Sequence, residues 1–261
     1  AERALREAEF YELVSKEERL RQHMPKLIGV DKENHVLKLE DLGNGADYTF
    51  LYREAELIDE GELEQLMTFI AKLHNRINTS KTEARLPNRA MRQLNHEHIF
   101  IYPYLENNGL DLDDVCPGLQ AVAESFKTDN SLIENVKKLG DRYLRDGTTL
   151  LHGDYFPGSW LKTDEGIKII DPEFCFFGEA EFEIGVTLAH LKMANQPDEL
   201  VQKALTFYKD LSSLDESLCF RFMAVEILRR MLGLAQLPLS LDLQKRKDLL
   251  EEARAILINV N

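Results

Sequence analysis

Two acidic stretches in this 261-residue sequence could do chemistry together. Asp154 closes the run LLHGD, and Asp171 and Glu173 stand in IIDPEF. Each stretch follows an apolar, strand-like run, and a buried strand rarely ends in a bare carboxylate. A pair of strands joined by a tight turn would bring these ends to one side. Carboxylates gathered in this way repel one another unless a proton or a cation compensates. Oxygen ligands in an Asp-x-Glu spacing suit magnesium, which takes one or two protein carboxylates and completes its shell with water and phosphate. The matching chemistry is phosphoryl transfer. One carboxylate orients or deprotonates the attacking hydroxyl, and the others hold metal against the phosphates.

The elements that must position these residues are legible as periodicity. Residues 2–21 carry Leu5, Phe10, Leu13 and Val14 near helical spacing, which predicts an amphipathic helix. PKLIGV (25–30) and HVLKLEDL (35–42) read as strands around the turn DKEN, and LGNGADY (42–48) reads as a loop. A helix is expected over 60–77, with Leu63, Leu66, Met67, Ile70 and Leu73 on one face, and a polar loop over 78–90. Two more helices are predicted at 117–127 and 130–145. TTLLH (148–152) is a short strand, and SWLKT (159–163) and IKIID (167–171) form a hairpin around DEG. Helices then fill 185–193, 199–211, 217–232 and 241–258. No internal repeat or low-complexity tract is present.

Composition narrows the function classes. The formal net charge of −14 argues against nonspecific nucleic-acid binding and against an anionic membrane surface. A single basic or metal-loaded pocket would still bind an anionic nucleotide. The three cysteines, Cys116, Cys175 and Cys219, form no CxxC pair, so a zinc site is not expected; a sparse, odd set fits a reducing cytoplasm, with the thiols as buried apolar residues. No apolar run is long enough to span a membrane.

HGDYFPGS followed by IDPEFCFFG resembles the small-molecule kinase branch of the protein-kinase-like fold, which includes aminoglycoside phosphotransferases, choline kinases and methylthioribose kinases. Most of that branch reads H-G-D-x-x-x-x-N and then I-D-F-E or I-D-W-E. The Ser159 and D-P-E variants here resemble methylthioribose kinase, whose pattern is similar to HGDLHTGS and IDPEFAFYG. EFEIGVTLAHL resembles the family's GFDIG helix start, with Glu183 in place of Asp. EILRRMLGLA (226–235) resembles its paired arginines, and FIAKLHN (69–75) its LA-x-LH helix. The resemblance is specific over 150–185 and extends to the rest of the chain only as a fold.

The resemblance implies an α+β, two-lobed fold. Residues 1–46 would be the remainder of a nucleotide-binding lobe with its hinge, and 47–261 a mostly helical lobe bearing a small catalytic hairpin. The implied reaction is transfer of the ATP γ-phosphoryl group to a hydroxyl of a small metabolite, with ATP and Mg2+ as cofactors, no nucleic-acid or membrane partner, and a cytoplasmic location. Asp154 would be the catalytic base or hydroxyl-orienting group. Asp171 and Glu173 would hold magnesium, with Ser159 in the position of the usual metal-assisting Asn. Arg229 and Arg230 would supply positive charge to the substrate pocket, although adjacent helical residues point about 100° apart, which leaves open whether both face it. The backbones of Glu40 and Leu42 would meet adenine. Glu7 would be the helix glutamate that pairs with a phosphate-binding lysine.

The family's glycine-rich turn and lysine strand precede that helix. They are expected upstream of the sequence given. A chain truly lacking them would instead be a catalytically inactive binding or scaffold protein, and a third reading is metal-dependent hydrolysis by the same carboxylates. The substrate is not fixed by the sequence. A methylthioribose-like sugar is the nearest guess; an amino alcohol would use aromatic walls such as Tyr155 and Phe156, and an aminoglycoside an acidic mouth. His74 and Trp160 are read as structural. His96 and His98 lie on a strand-like or loop run, where a spacing of two would place them on one face, conceivably for a metal but more simply for packing.

Overall fold

The computed structural model describes residues 2–259. The N-terminal part consists of α1 (Glu2–Val14), a one-turn α2 (Glu18–Arg21) and the antiparallel hairpin β1 (Leu27–Asp31) and β2 (Val36–Leu39). Where a single helix was predicted over 2–21, the chain breaks. The Ser15 hydroxyl turns back to the Glu12 carbonyl at 2.9 Å, a local bond that competes with helix continuation. The DKEN turn forms as expected, with the Asp31 carboxylate accepting from the Glu33 and Asn34 amides at 3.1 and 3.0 Å.

The helical part begins with β3 (Ala46–Asp47), a 3-10 segment (Tyr48–Tyr52), α3 (Glu60–Arg76), α4 (Arg89–Phe100), α5 (Leu119–Lys127) and α6 (Asn130–Tyr143). It continues through β4 (Thr149–Leu151), β5 (Trp160–Thr163), β6 (Gly166–Ile169) and β7 (Phe176–Gly178) to α7 (Ala180–Met193), α8 (Asp198–Lys209), α9 (Glu216–Leu232) and α10 (Leu243–Ile258). β5 and β6 are the expected hairpin, in the register Trp160 to Ile169, and β3 adds to the other edge of β5. β4 pairs antiparallel with β7, which the sequence reading did not anticipate. This last pairing joins the strand that ends in the HGD motif to the segment just after the DPE motif.

One element differs in kind. The run holding His96 and His98 is not a strand or loop but the last turns of α4. Two residues on a helix are about 200° apart, so the two imidazoles diverge: His96 is buried and His98 half-exposed. That geometry removes the shared face on which a metal reading depended.

α7 and α9 are buried on nearly every side and pack against each other at the centre. A helix apolar all round belongs in a core. Glu183 and His190 of α7 and Glu226, Arg229 and Arg230 of α9 are therefore buried polar groups, which need partners. Trp160 is fully buried, as are Cys175 and Cys219. Among the described residues, no helix is long and apolar enough to cross a membrane.

Candidate active site

The HGD turn is built around a buried carboxylate. Glu183, at 1% exposure, accepts from the His152 amide at 3.0 Å and the Gly153 amide at 2.7 Å. It also receives His74 Nε2 at 2.9 Å, while the Tyr208 hydroxyl donates to His74 Nδ1 at 2.8 Å. His74 is thus structural, as expected, in a specific sense: it orients the carboxylate that holds the HGD turn. His152 is wholly buried and its Nε2 donates to the Ile170 carbonyl at 2.9 Å, tying the turn to the residue before Asp171. Burial lowers the His152 pKa, so the ring is a neutral spacer.

The two acidic motifs are backbone-constrained. Gly153 has φ +88°, and a Cβ there would lie 2.2 Å from the Phe174 carbonyl oxygen. Asp171 has φ +63°, a left-handed conformation uncommon for a non-glycine residue. Its loop is held from the other side by Asn88, whose side-chain amide donates to the carbonyls of Glu173 and Cys175 at 2.8 and 2.9 Å. Asn88 carried no sequence signal beyond its place at a loop end.

Three carboxyls share this region. Burial and the nearby Glu173 charge raise the Asp171 pKa. Burial, then Asp171 and Glu173, push Glu7 up to about 7. Arg3 offsets part of this charge through its ion pair with Glu173. α1 thus brings Glu7 to the DPE loop, where its negative charge adds to that of the other two. This surplus of hard oxygen donors fits a divalent cation. No group of three or more His, Cys, Asp or Glu among the described residues could hold an ion.

The Glu7 shift has a measurable consequence without any cation. A carboxyl raised in the folded state favours folding at low pH, fully below its unfolded value near 4.5, and that contribution is lost as pH rises through about 7. Stability in chelator-treated buffer is expected to fall between pH 5 and 8 by about 1 kcal/mol, since solvent screens this part-exposed carboxyl and discounts the full shift. Glu7→Gln should flatten that slope in urea titrations; an unchanged slope would place the charge strain elsewhere.

Ser159 makes a bond that the sequence did not suggest. It is buried, and its hydroxyl donates to the Asp154 carbonyl at 2.7 Å, so it braces the HGD loop while its lone pairs stay free for a cation. Glu40 lies just past β2. Its amide donates to the Lys26 carbonyl at 2.9 Å and its carboxylate accepts from the Lys26 amide. The Glu40 carbonyl and the Leu42 amide make no hydrogen bond among the described residues.

On the other side of Asp154 stands a charged cluster. Adjacent arginines diverge, yet Arg229 and Arg230 both reach Glu226, as its i+3 and i+4 neighbours, at 3.1 and 2.6 Å. Both are buried, and Arg230 lies 3.9 Å from Asp154. Burial raises the Asp154 pKa and the two arginines oppose that rise. Burial likewise disfavours charge on Glu226, but Arg229, Arg230 and the His190 bond outweigh it and hold that carboxyl well below its ordinary range. Glu226, His190 and Tyr52 were not anticipated. A carboxylate three and four residues ahead of two helical arginines was the available signal for Glu226.

The aromatic walls suggested for an amino alcohol are not free. Tyr155 is fully buried and its hydroxyl donates to the Leu66 carbonyl at 2.9 Å, and the Phe156 ring carries the Arg230 guanidinium at 5.1 Å. One aromatic faces the core and the other is already covered by a cation.

A family model described as the phosphotransferase enzyme family matches residues 1–216. Methylthioribose kinase of Exiguobacterium sibiricum is 37% identical over 133 residues, covering 49% of this chain and 34% of that protein. Methylthioribose kinase of Geobacillus thermodenitrificans is 26% identical over 183 residues, covering 65% of this chain and 44% of that protein. The chain thus spans less than half the length of these curated relatives. Among solved structures, an aminoglycoside phosphotransferase from Alicyclobacillus acidocaldarius superposes with a TM-score of 0.56 at 11% identity, over 97% of this chain and 82% of that one. A choline kinase from Streptococcus pneumoniae gives 0.52 at 15% identity, over 98% and 81%. These likenesses establish a shared protein-kinase-like fold, and the small antiparallel sheets and dominant helices fit its α+β class.

Proposed function

Because the chain belongs to the phosphotransferase enzyme family, we propose that it transfers the γ-phosphoryl group of ATP to a hydroxyl of a small metabolite, a methylthioribose-like sugar first among candidates. The observation that carries this reading is Asp154, held at the end of β4 between the carboxylate group of the DPE loop and the arginines of α9. In this reading Asp154 accepts or orients the acceptor hydroxyl. Asp171 and Glu173 hold magnesium, which when bound would neutralise phosphate charge. Arg229 and Arg230 balance negative charge on the acceptor side, and Glu183 with Ser159 keeps the loop fixed. Positioning and charge compensation supply most of the acceleration. Glu7 would pair with a phosphate-binding lysine, Glu40 and Leu42 would present backbone groups to adenine, and residues 1–46 would serve as part of the nucleotide lobe.

The arginine pair and the unavailable aromatic faces favour a neutral or anionic polyol over a quaternary amine. The similarity to methylthioribose kinases favours the same class. The test is ADP release from the purified protein with ATP and magnesium, against methylthioribose, choline, an aminoglycoside and no acceptor. Acceptor-dependent release supports the kinase reading. Equal phosphate release without acceptor would mean hydrolysis, and ligand binding with no turnover a binding protein.

Asp171→Ala is expected to weaken magnesium-dependent nucleotide binding at least tenfold in calorimetry. Binding that survives unchanged would put the metal site elsewhere.

A further inference from the structure

We infer that Glu226, backed by His190 and Tyr52, is a positioning residue that withholds Arg230 from Asp154. The inference rests on the assignment of Asp154 as the hydroxyl-orienting carboxylate. Arg230 sits between two carboxylates and treats them unequally. Its Nε donates to Glu226 Oε1 at 2.6 Å, while its closest approach to Asp154 Oδ1 is 3.9 Å. The first is a short charge-assisted hydrogen bond; the second lies beyond hydrogen-bond reach.

The inequality is built by three elements. Glu226 is 1% exposed on α9. From α7, His190 Nε2 donates to Glu226 Oε1 at 3.1 Å, and from the 3-10 segment the Tyr52 hydroxyl donates to His190 Nδ1 at 2.6 Å. Burial holds His190 neutral, with a pKa of about 4, so it fixes the carboxylate without adding a competing cation. Arg229 occupies the other oxygen at 3.1 Å. Arg230 is tethered further by Phe156 beneath it and by its Nη1 bond to the Ala235 carbonyl at 3.4 Å.

The consequence is functional. An Arg230 fork closed on Asp154 would occupy the lone pairs that an acceptor hydroxyl needs. Held at its present distance, the guanidinium keeps its charge near the base and leaves the oxygens open. The stand-off between Arg230 and Asp154 is therefore the property to test.

Glu226→Gln removes the charge that holds Arg230 back. In a crystal structure of this full-chain variant, Arg230 is expected to move from 3.9 Å to hydrogen-bond range of Asp154, about 2.8 Å. The value of kcat should fall about 30-fold with KM for ATP unchanged, and Glu226→Asp should lie between the two proteins. Adding Arg230→Gln to Glu226→Gln should raise kcat above that of the single variant, because the misplaced cation is gone. A purely structural role would instead make the double variant worse than either single one. Arg230 left in place in Glu226→Gln, or losses that simply multiply, would overturn the inference. Should Glu226→Gln not fold, the smaller, charged Glu226→Asp reads the same distance and kcat. If the unaltered protein turns over no acceptor, the phosphotransfer reading fails while the Arg230 to Asp154 distance still decides this one.

Discussion

Asp154→Asn is expected to lower phosphoryl transfer by about a thousandfold while leaving nucleotide affinity within a factor of two or three. The substitution preserves shape and the backbone bonds that brace the turn, since Ser159 binds the carbonyl of residue 154 and His152 its amide. What it removes is the acceptor for the hydroxyl proton and the charge facing Arg230. The loss should therefore appear in kcat, with thermal stability nearly unchanged. Single-turnover assays with the acceptor found in the ADP screen would measure it. Activity within tenfold of the parent would exclude Asp154 from the chemistry and turn attention to Asp171 or Glu173.

Gly153→Ala should be nearly as damaging by a different route. The backbone there is left-handed, which costs a residue with a Cβ about 1–2 kcal/mol. The added carbon would also meet the Phe174 carbonyl at 2.2 Å, a backbone atom that cannot swing aside. Relief requires the HGD turn and the DPE loop to part, which would disturb the Gly153 bond to Glu183 and the spacing between Asp154 and Asp171. A combined penalty of about 3–4 kcal/mol would lower Tm by roughly 10 °C in a chain of this size. Transfer should fall at least a hundredfold even at temperatures where the variant remains folded. A variant with parental Tm and activity would mean that the two loops tolerate separation.

The carboxylates of the site were legible because their signals are local. A strand ending in HGD, a second ending in D-P-E, and a turn between β5 and β6 are short-range patterns. Their ends meet only because β4 pairs with β7, just past the DPE motif, and His152 bonds the Ile170 carbonyl. Helix positions were readable from local signals too, since apolar period follows from the rise of a helix. The error over 94–100 arose where the period is weak: α4 buries Arg92, Asn95 and His96 among its apolar residues, so its inner face does not read as apolar.

The sequence by itself determined the family and most of the elements, and it marked the carboxylates that the proposed chemistry would use. Tertiary structure decided which polar residues support them. Tyr52 and His190 are 138 positions apart yet share a hydrogen bond, and His74 reaches Glu183 across 109 positions. Such pairs depend on how α3, α7 and α9 pack, and the hydrophobic period of each helix records that a face is buried but not which partner covers it. The same limit applied to the arginine pair. Their divergence along the helix was readable from the sequence, but their convergence on one buried carboxylate required the fold that closes around it.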